Sequence, residues 1–555
     1  MSLVLVLDDA ERADAVLLRR CADDGTPQGQ ERVGRDRLPQ VVASYEAARD
    51  DGAAPRWVWD DTARRYPPLL RAGVRVERCH DLRLCHAILR RSVLCAGSAL
   101  ADAAPGPWDE AAADEPPAVA TLFDAAPETR GAPLDPAHEL ALQLDAVAGA
   151  SAPGRLRLLL AAESTGALIA AEMRYDGMPW DVAAHDRLLT ATLGERPRGG
   201  GRPARLEELA AQVRAALGRP SLNPDSQADL LGALRSAGLD VSSTRKGELR
   251  ALDHPVVEPL LEYKKLSRLL SANGWAWMEQ WVHDGRFRPD YVPGGVVTGR
   301  WATSGGGALQ LPASVRAAVR SDPGRLLVVA DAAQLEPRVL AAMSGDAAMA
   351  AAGRHADLYQ GLVGAGIVET REQAKYAMLG AIYGATTGTS GALMPRLTRA
   401  YPDAIALVEA AARAGEHGDV VSTWLGRTSP RPAFADALRA ASSEGAEADD
   451  VRAVRRRARD WGRFTRNFVV QGTAAEWALC WMASLRRRLR ELDGRPHLVF
   501  FLHDEVMVHT PRQVADEVAA AVRDAAAEAG RLLFGAFPVD FAVSVSVVES
   551  YDQAD

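Results

Sequence analysis

Apolar positions repeat differently in successive stretches of the chain. Residues 1 to about 100 alternate short apolar runs (LVLVL, WVW, VRVERC) with helical stretches, a period that predicts an α/β unit. Residues 101 to about 137 are rich in Ala, Pro and acids and hold no period, which predicts a surface loop. From about 154 onward the pattern is mainly helical with a few strands, and GERPRGGGRPAR (194–205) marks a turn between helices. Residues from about 207 to 282 read as a helical arm, in which Ser226 and Asp229 form a variant capping box. No tandem repeat is present.

Composition narrows the class. With 555 residues, 48% hydrophobic and 25% charged, the chain is expected to be globular and to hold several domains with sizeable cores. No apolar run reaches the ~20 residues of a membrane helix. The opening MSLVLVLDDAERADA is unlike a signal peptide. Five cysteines suit a reducing compartment. The net charge is −8, yet Arg452 to Arg466 carries seven arginines against one acid, and Lys264–Arg268 and Arg486, Arg487, Arg488 and Arg490 are also basic. Such local stripes suit a phosphate-lined groove or a set of solvated helix faces.

Chemistry enters at strand ends. Leu326–Ala330 is a buried-strand pattern that runs into Asp331. HLVFFL (497–502) runs into His503-Asp504-Glu505 and then a second apolar run, so a hairpin is expected to present Asp504 and Glu505 at its tip. Two carboxylates on rigid strand ends can share two Mg²⁺ ions, the arrangement of phosphoryl-transfer sites. Taken singly, each acid reads equally well as a turn residue or helix cap. A further stripe decides between them. Arg371, Lys375, Leu379 and Tyr383 recur every four residues and share one helix face. Two cations followed by an apolar and an aromatic side chain match a nucleoside triphosphate, with phosphate at one end and sugar and base at the other.

These motifs, in this order, resemble the family A (polymerase I-type) DNA polymerases. DAAQLEPR (331–338), the 371–384 helix and His503-Asp504-Glu505 match the family's three signatures. TGRWATSGGGALQLP (298–312), RFTRNFVVQGTAAEW (463–477), LLEYKKLSRLLS and VVSTWLGR (420–427) match lesser ones. The resemblance covers about 154–555 and implies a mixed α/β (α+β) right-hand polymerase fold. It puts the thumb at about 200–282, the palm at about 154–199, 283–345 and 456–555, and the fingers at about 346–455.

The resemblance also implies roles. Asp331 and Asp504 ligate two Mg²⁺ ions, with Glu505 beside them. Arg371 and Lys375 bind the triphosphate, and Lys375 protonates pyrophosphate. Gln334, Tyr359, Leu379 and Tyr383 line the nucleotide pocket, and Glu336 crowds the sugar 2′ position. Arg300, Gln310, Arg463, Asn467, Gln471 and His503 contact DNA. The implied partners are primer-template DNA and deoxynucleoside triphosphates, and the implied setting is a bacterial cytoplasm, at the nucleoid, as a monomer without a membrane. Ala332, Pro337, Met378, Leu379 and Tyr359 depart from the family pattern. Leu379 in place of an aromatic residue is expected to weaken stacking on the incoming nucleotide.

By position, residues 1–153 resemble the ribonuclease H-like 3′-to-5′ exonuclease domain of such polymerases. An Asp-x-Glu with two further Asp is missing, so this domain is expected to be a structural remnant. Cys79, His80, Cys85, His86 and Cys95 lack zinc-site spacing and read as core. The length is expected to leave no room for a 5′ nuclease domain. Beside a DNA polymerase, the competing readings are a DNA-binding protein with a crippled polymerase fold, a single-subunit RNA polymerase relative, and a polymerase with a working exonuclease.

Overall fold

The structure, a computed structural model, describes residues 3–48, 53–110, 134–354, 357–384, 388–435 and 448–554. The chain forms two compact units. One comprises residues 1–175, 291–303 and 328–546; the other comprises 176–290, 304–327 and 547–555.

The first unit opens with a five-stranded sheet built from β1 (Leu3–Asp8), β2 (Ala15–Cys21), β3 (Pro27–Gly34), β4 (Arg56–Trp59) and β5 (Arg78–Asp81) in the order β3-β2-β1-β4-β5. β1, β2 and β3 pair antiparallel, and β1, β4 and β5 run parallel. The sheet is therefore mixed, as the alternating apolar runs of an α/β unit allow. Val4, Val6, Val16, Leu18, Trp57 and Trp59 form its core with α1 (Thr62–Arg71). Cys79, Cys85 and Cys95 are buried thiols, as their pattern predicts. Of the stretch expected to be a loop, 111–133 lies outside the described residues, and the helix α2 (Pro136–Ala148), capped by Asp135, follows.

The 24-residue helix α3 (Pro153–Asp176) then leads to a second sheet. Its strands β6 (Arg325–Ala332), β7 (His497–Leu502), β8 (Glu505–Pro511) and β9 (Val543–Val548) lie in the order β7-β8-β6-β9. Around it stand α5 (Leu335–Ser344), α6 (Leu358–Gly364), α7 (Arg371–Tyr383), the 42-residue α8 (Ala448–Leu489) and α9 (Ala515–Phe534). The Leu326–Ala330 run is almost fully buried, as its apolar continuity predicts.

The second unit holds the helical arm, including α4 (Val257–Asn273). Ser226 caps the helix Gln227–Ser236, its hydroxyl accepting from the Asp229 amide. A core of leucines and valines from Val213 to Leu260 holds the arm together. Trp180, His185, Trp277 and Phe287 pack ring against ring beside it. Lys264, part of a predicted basic stripe, donates to the Thr244 carbonyl at 2.5 Å and hydroxyl at 2.7 Å. Among the described residues no helix is long and apolar enough to cross a membrane.

The basic row at 486–490 is held by the chain's own carboxylates and carbonyls, although Arg487 and Arg490 keep exposed surface. Arg486 is buried and donates twice to Glu172 at 2.8 Å, and again to the Val76 and Glu77 carbonyls. Arg487 and Arg488 pair with Glu528, and Arg490 donates to Val76. Arg466 is likewise buried, on the Ala381 carbonyl and Glu409. A helix periodicity shows which face these arginines share; it does not show that carboxylates and carbonyls face them.

Candidate active site

The two strand-end aspartates come together because β6 and the β7–β8 hairpin exit side by side. Leu502 pairs with Glu505, so His503 and Asp504 form a two-residue turn. His503 takes a left-handed backbone, φ 58°, a conformation that costs non-glycine residues ~1–3 kcal/mol and collects at functional sites. The Asp504 carbonyl accepts from the Ala332 amide at 2.9 Å. That bond ties the hairpin tip to the residue after Asp331. The Ala333 amide in turn donates to the Ala542 carbonyl at 3.0 Å.

Asp331 keeps exposed surface, yet enough protein crowds its carboxyl that desolvation raises its pKa. Asp504 is half-buried, and its pKa is pushed up to about 7, first by desolvation and then by the charge of Asp331. Among the described residues no cationic side chain forms an ion pair with either carboxylate. Two crowded carboxylates that destabilise each other's charge fit a cation between them. Only a pair is present, since no group of three or more His, Cys, Asp or Glu suited to a metal occurs among the described residues. A pair suits an ion that also takes substrate phosphates. Glu505 opens β8 beside Asp504.

Glu336, in the first turn of α5, is the hub of the neighbouring wall. It accepts from Arg300 at 2.5 Å and from the Tyr383 hydroxyl at 3.0 Å, and that hydroxyl accepts from Gln471 at 3.2 Å. Four predicted site residues, on four separate segments, thus share one network. His503 is exposed, with its pKa lowered by desolvation and then by the Arg300 charge. Gln334, also left-handed at φ 48°, accepts from the Leu358 amide at 3.0 Å and so links the β6 exit to α6.

On α7, Thr370 caps the helix and Gly384 ends it in a left-handed turn at φ 74°. Arg371 pairs with Asp357 at 2.6 Å and lies 5.6 Å from the Tyr359 ring. Lys375 is exposed, Leu379 half-buried, and Tyr383 exposed at the far end of the stripe. Arg463 is exposed and pairs with Asp460 one helical turn away. Asn467 is half-buried, and its carbonyl oxygen has no hydrogen-bond partner. The side chain of Gln310 lies outside the described residues.

Two contributors are hard to see in sequence. Asp357 both caps α6 and holds Arg371; its only signal is an acid before a short helix. Arg338, almost wholly buried, clamps the β6 exit through the carbonyls of Ala333, Gly353 and Asp540 at 2.8, 2.5 and 2.6 Å. Its signal is the last residue of DAAQLEPR.

The N-terminal sheet also brings acids together, at the C-terminal ends of its parallel strands: Asp8 closing β1, Asp60 after β4 and Asp81 closing β5. Each is engaged by protein. Arg65 grips Asp8 at 2.8 and 2.7 Å, and Arg35 adds 2.6 Å. Asp60 pairs with Arg64 and, at 2.7 Å, with Arg65. These arginines hold the Asp8 carboxyl far below its ordinary range. Asp81 is buried, accepts from the Thr62 and Leu84 amides at 2.7 and 3.0 Å, and is pushed up to about 7 by desolvation.

The pattern that defines DNA polymerase family A matches residues 202–553, and the chain belongs to that family. It is 28% identical over 384 residues to the thermostable DNA polymerase I of Thermus filiformis, covering 64% of this chain and 42% of that protein. It is 28% identical over 360 residues to DNA polymerase I of Chloroflexus aurantiacus, covering 60% and 36%. The chain thus spans less than half the length of these two relatives. In fold it is similar to a solved structure of the POL domain of Pol1 from M. smegmatis in complex with DNA primer-template and dNTP. The TM-score is 0.66 at 18% identity, over 100% of this chain and 95% of that one.

Proposed function

We propose that the chain carries out template-directed DNA synthesis, adding deoxynucleotides to a primer 3′ end. The observation that carries this reading is the Asp331–Asp504 pair, without a cationic partner among the described residues, beside the Arg300–Glu336–Tyr383–Gln471 network. In this reading the arm at about 200–282 is the thumb, 346–455 the fingers, and the second sheet with its flanking segments the palm. The enzyme acts as a monomer on primer-template DNA in the bacterial cytoplasm, at the nucleoid.

Asp331 and Asp504 would hold two Mg²⁺ ions, with Glu505 alongside. When bound, the ions supply Lewis-acid activation and charge neutralisation. The chain's own residues do the positioning on which phosphoryl transfer mainly depends. Arg371 and Lys375 take the triphosphate charge, which requires Arg371 to leave Asp357. Lys375, on an exposed helix face, gives its proton to the departing pyrophosphate. Glu336, fixed by Arg300 and Tyr383, stands against the sugar 2′ position and excludes ribose. Arg463, Asn467, His503 and Gln310 meet primer and template, while Gln334 and Tyr359 border the nucleotide.

Extension of a labelled DNA primer in Mg²⁺ with the four deoxynucleotides tests this reading. Tight, salt-sensitive duplex binding without extension would instead favour the DNA-binding reading that the altered residues 332, 378 and 379 leave open. Leu379→Phe is expected to lower the KM for deoxynucleotides roughly tenfold, since stacking is worth ~1–3 kcal/mol per base. Unchanged nucleotide kinetics would show that no stacking is missing. The N-terminal domain is expected not to shorten a 3′-ended DNA when nucleotides are omitted, because arginines and amides already hold Asp8, Asp60 and Asp81. Shortening that survives loss of Asp331 would contradict this.

A further inference from the structure

The turn Thr423–Thr428 has no role of its own in the reading above, yet side chains and backbone from several distant segments anchor it. It closes on itself: the Thr423 amide donates to the Arg427 carbonyl, and the Arg427 amide donates to the Thr423 hydroxyl, both at 2.9 Å. The N-terminal domain holds one side. The Ser92 hydroxyl donates to the Gly426 carbonyl at 2.7 Å, and the Val93 amide donates to the Thr428 hydroxyl at 3.1 Å. Gly426 has φ 114°, and a Cβ there would lie 2.4 Å from Leu94.

The core of the polymerase region holds the other sides. Arg427 pairs at 2.7 Å with Glu163 of α3, whose side chain is 1% exposed. Glu476 of α8 is buried and accepts from the Thr423 hydroxyl and, at 2.9 Å, from the Leu425 amide. Two glycines then press on the turn. A Cβ on Gly299 (φ 85°) would lie 2.5 Å from the Arg427 Nε, and a Cβ on Gly472 would lie 2.3 Å from the Thr423 methyl carbon. Gly299 precedes Arg300, and Gly472 follows Gln471. These are the two residues that reach Glu336 and Tyr383.

We propose that this turn sets the position of Arg300 and Gln471, and that the N-terminal domain acts in synthesis as the turn's brace. Thr423 and Arg427 are then positioning residues for the primer-template end, and the domain needs no cleavage activity to take part. The inference rests on the polymerase reading. Physically, two close backbone approaches, permitted only by glycine, transmit the turn's position to the site. Displacement of a binding group by ~1 Å can cost up to about 100-fold.

The test uses the full chain and three variants: Ser92→Ala, Gly472→Ala, and Gly472→Ala combined with Thr423→Ser. Anisotropy gives the Kd of a labelled primer-template, single-nucleotide incorporation gives KM and kcat, and melting reports folding. Gly472→Ala is expected to raise Kd and KM for primer-template about tenfold, with kcat less affected. Thr423→Ser keeps the hydroxyl on Glu476 and removes the methyl, the tighter of the two contacts; the Thr298 carbonyl at 3.1 Å remains, so both should return part of the way toward the parent. Ser92→Ala, which removes the 2.7 Å bond to the Gly426 carbonyl and leaves it only the Thr428 hydroxyl at 3.4 Å, should raise them about threefold. Parental Kd and KM in either single variant, whatever the melting point, would overturn the brace, as would a failure of Thr423→Ser to bring binding back toward the parent. A parent that binds duplex but never extends it would defeat the polymerase reading instead, and Kd would still report on the brace.

Discussion

Asp331→Asn or Asp504→Asn is expected to lower primer extension by about a thousandfold or more, since metal assistance is worth several kcal/mol and each ~1.4 kcal/mol is a factor of ten. Duplex affinity should stay within about threefold, because phosphate contacts by basic residues dominate it. Stability should move the other way from activity. The two carboxyls raise each other's charging cost, and burial pushes Asp504 up to about 7. Replacing one with a neutral amide of similar shape removes that repulsion, so in EDTA near pH 7.5 the variant should melt no lower than the parent. A variant that loses activity and also melts well below the parent would mean that these acids hold the fold together.

Arg486→Ala should produce the largest loss of stability, about 3–5 kcal/mol for a buried pair that loses one partner. The substitution removes the two-point partner of Glu172 and one donor each from the Val76 and Glu77 carbonyls. A drop of about 4–6 °C in the melting midpoint follows from typical unfolding entropies for a unit of this size. The pH dependence has a definite sign. Although burial opposes it, Arg486 holds Glu172 down to about 2 from its ordinary 4.5. The pair's contribution is therefore complete above about pH 4.5 and lost as pH falls toward 2. In the variant, desolvation is left opposed chiefly by Arg75 at 3.8 Å. The Glu172 pKa then rises, and the variant should gain stability as pH is lowered from 7 toward 5. Melting curves of both proteins across that range would expose an error of sign directly.

Sequence showed the site's parts better than its supports. The buried run before Asp331 and the paired runs around Asp504 could only be strands, and strands put their last residues at a sheet edge. The four-residue recurrence of Arg371, Lys375, Leu379 and Tyr383 fixed a helix face in the same way. Sequence could not show that Arg371 rests on Asp357, that Arg486 is buried on Glu172, or that Arg35, Arg64 and Arg65 close over the acids of the N-terminal sheet. Each is a pairing between segments far apart in the chain, and an arginine carries no local mark of whether carboxylate, carbonyl or phosphate will meet it. The glycines at 299 and 472 are a similar case: the motifs contain them, but only the packed turn shows what they make room for.

The most direct test of the central claim is single-nucleotide incorporation on four templates that differ only in the next base. Each deoxynucleotide would be offered alone in Mg²⁺, with Asp331→Asn as control. The polymerase reading expects the complementary nucleotide to be added on each template, the corresponding ribonucleotide to be refused, and the control to add nothing. Addition that ignores the template base, or that persists in Asp331→Asn, would contradict it.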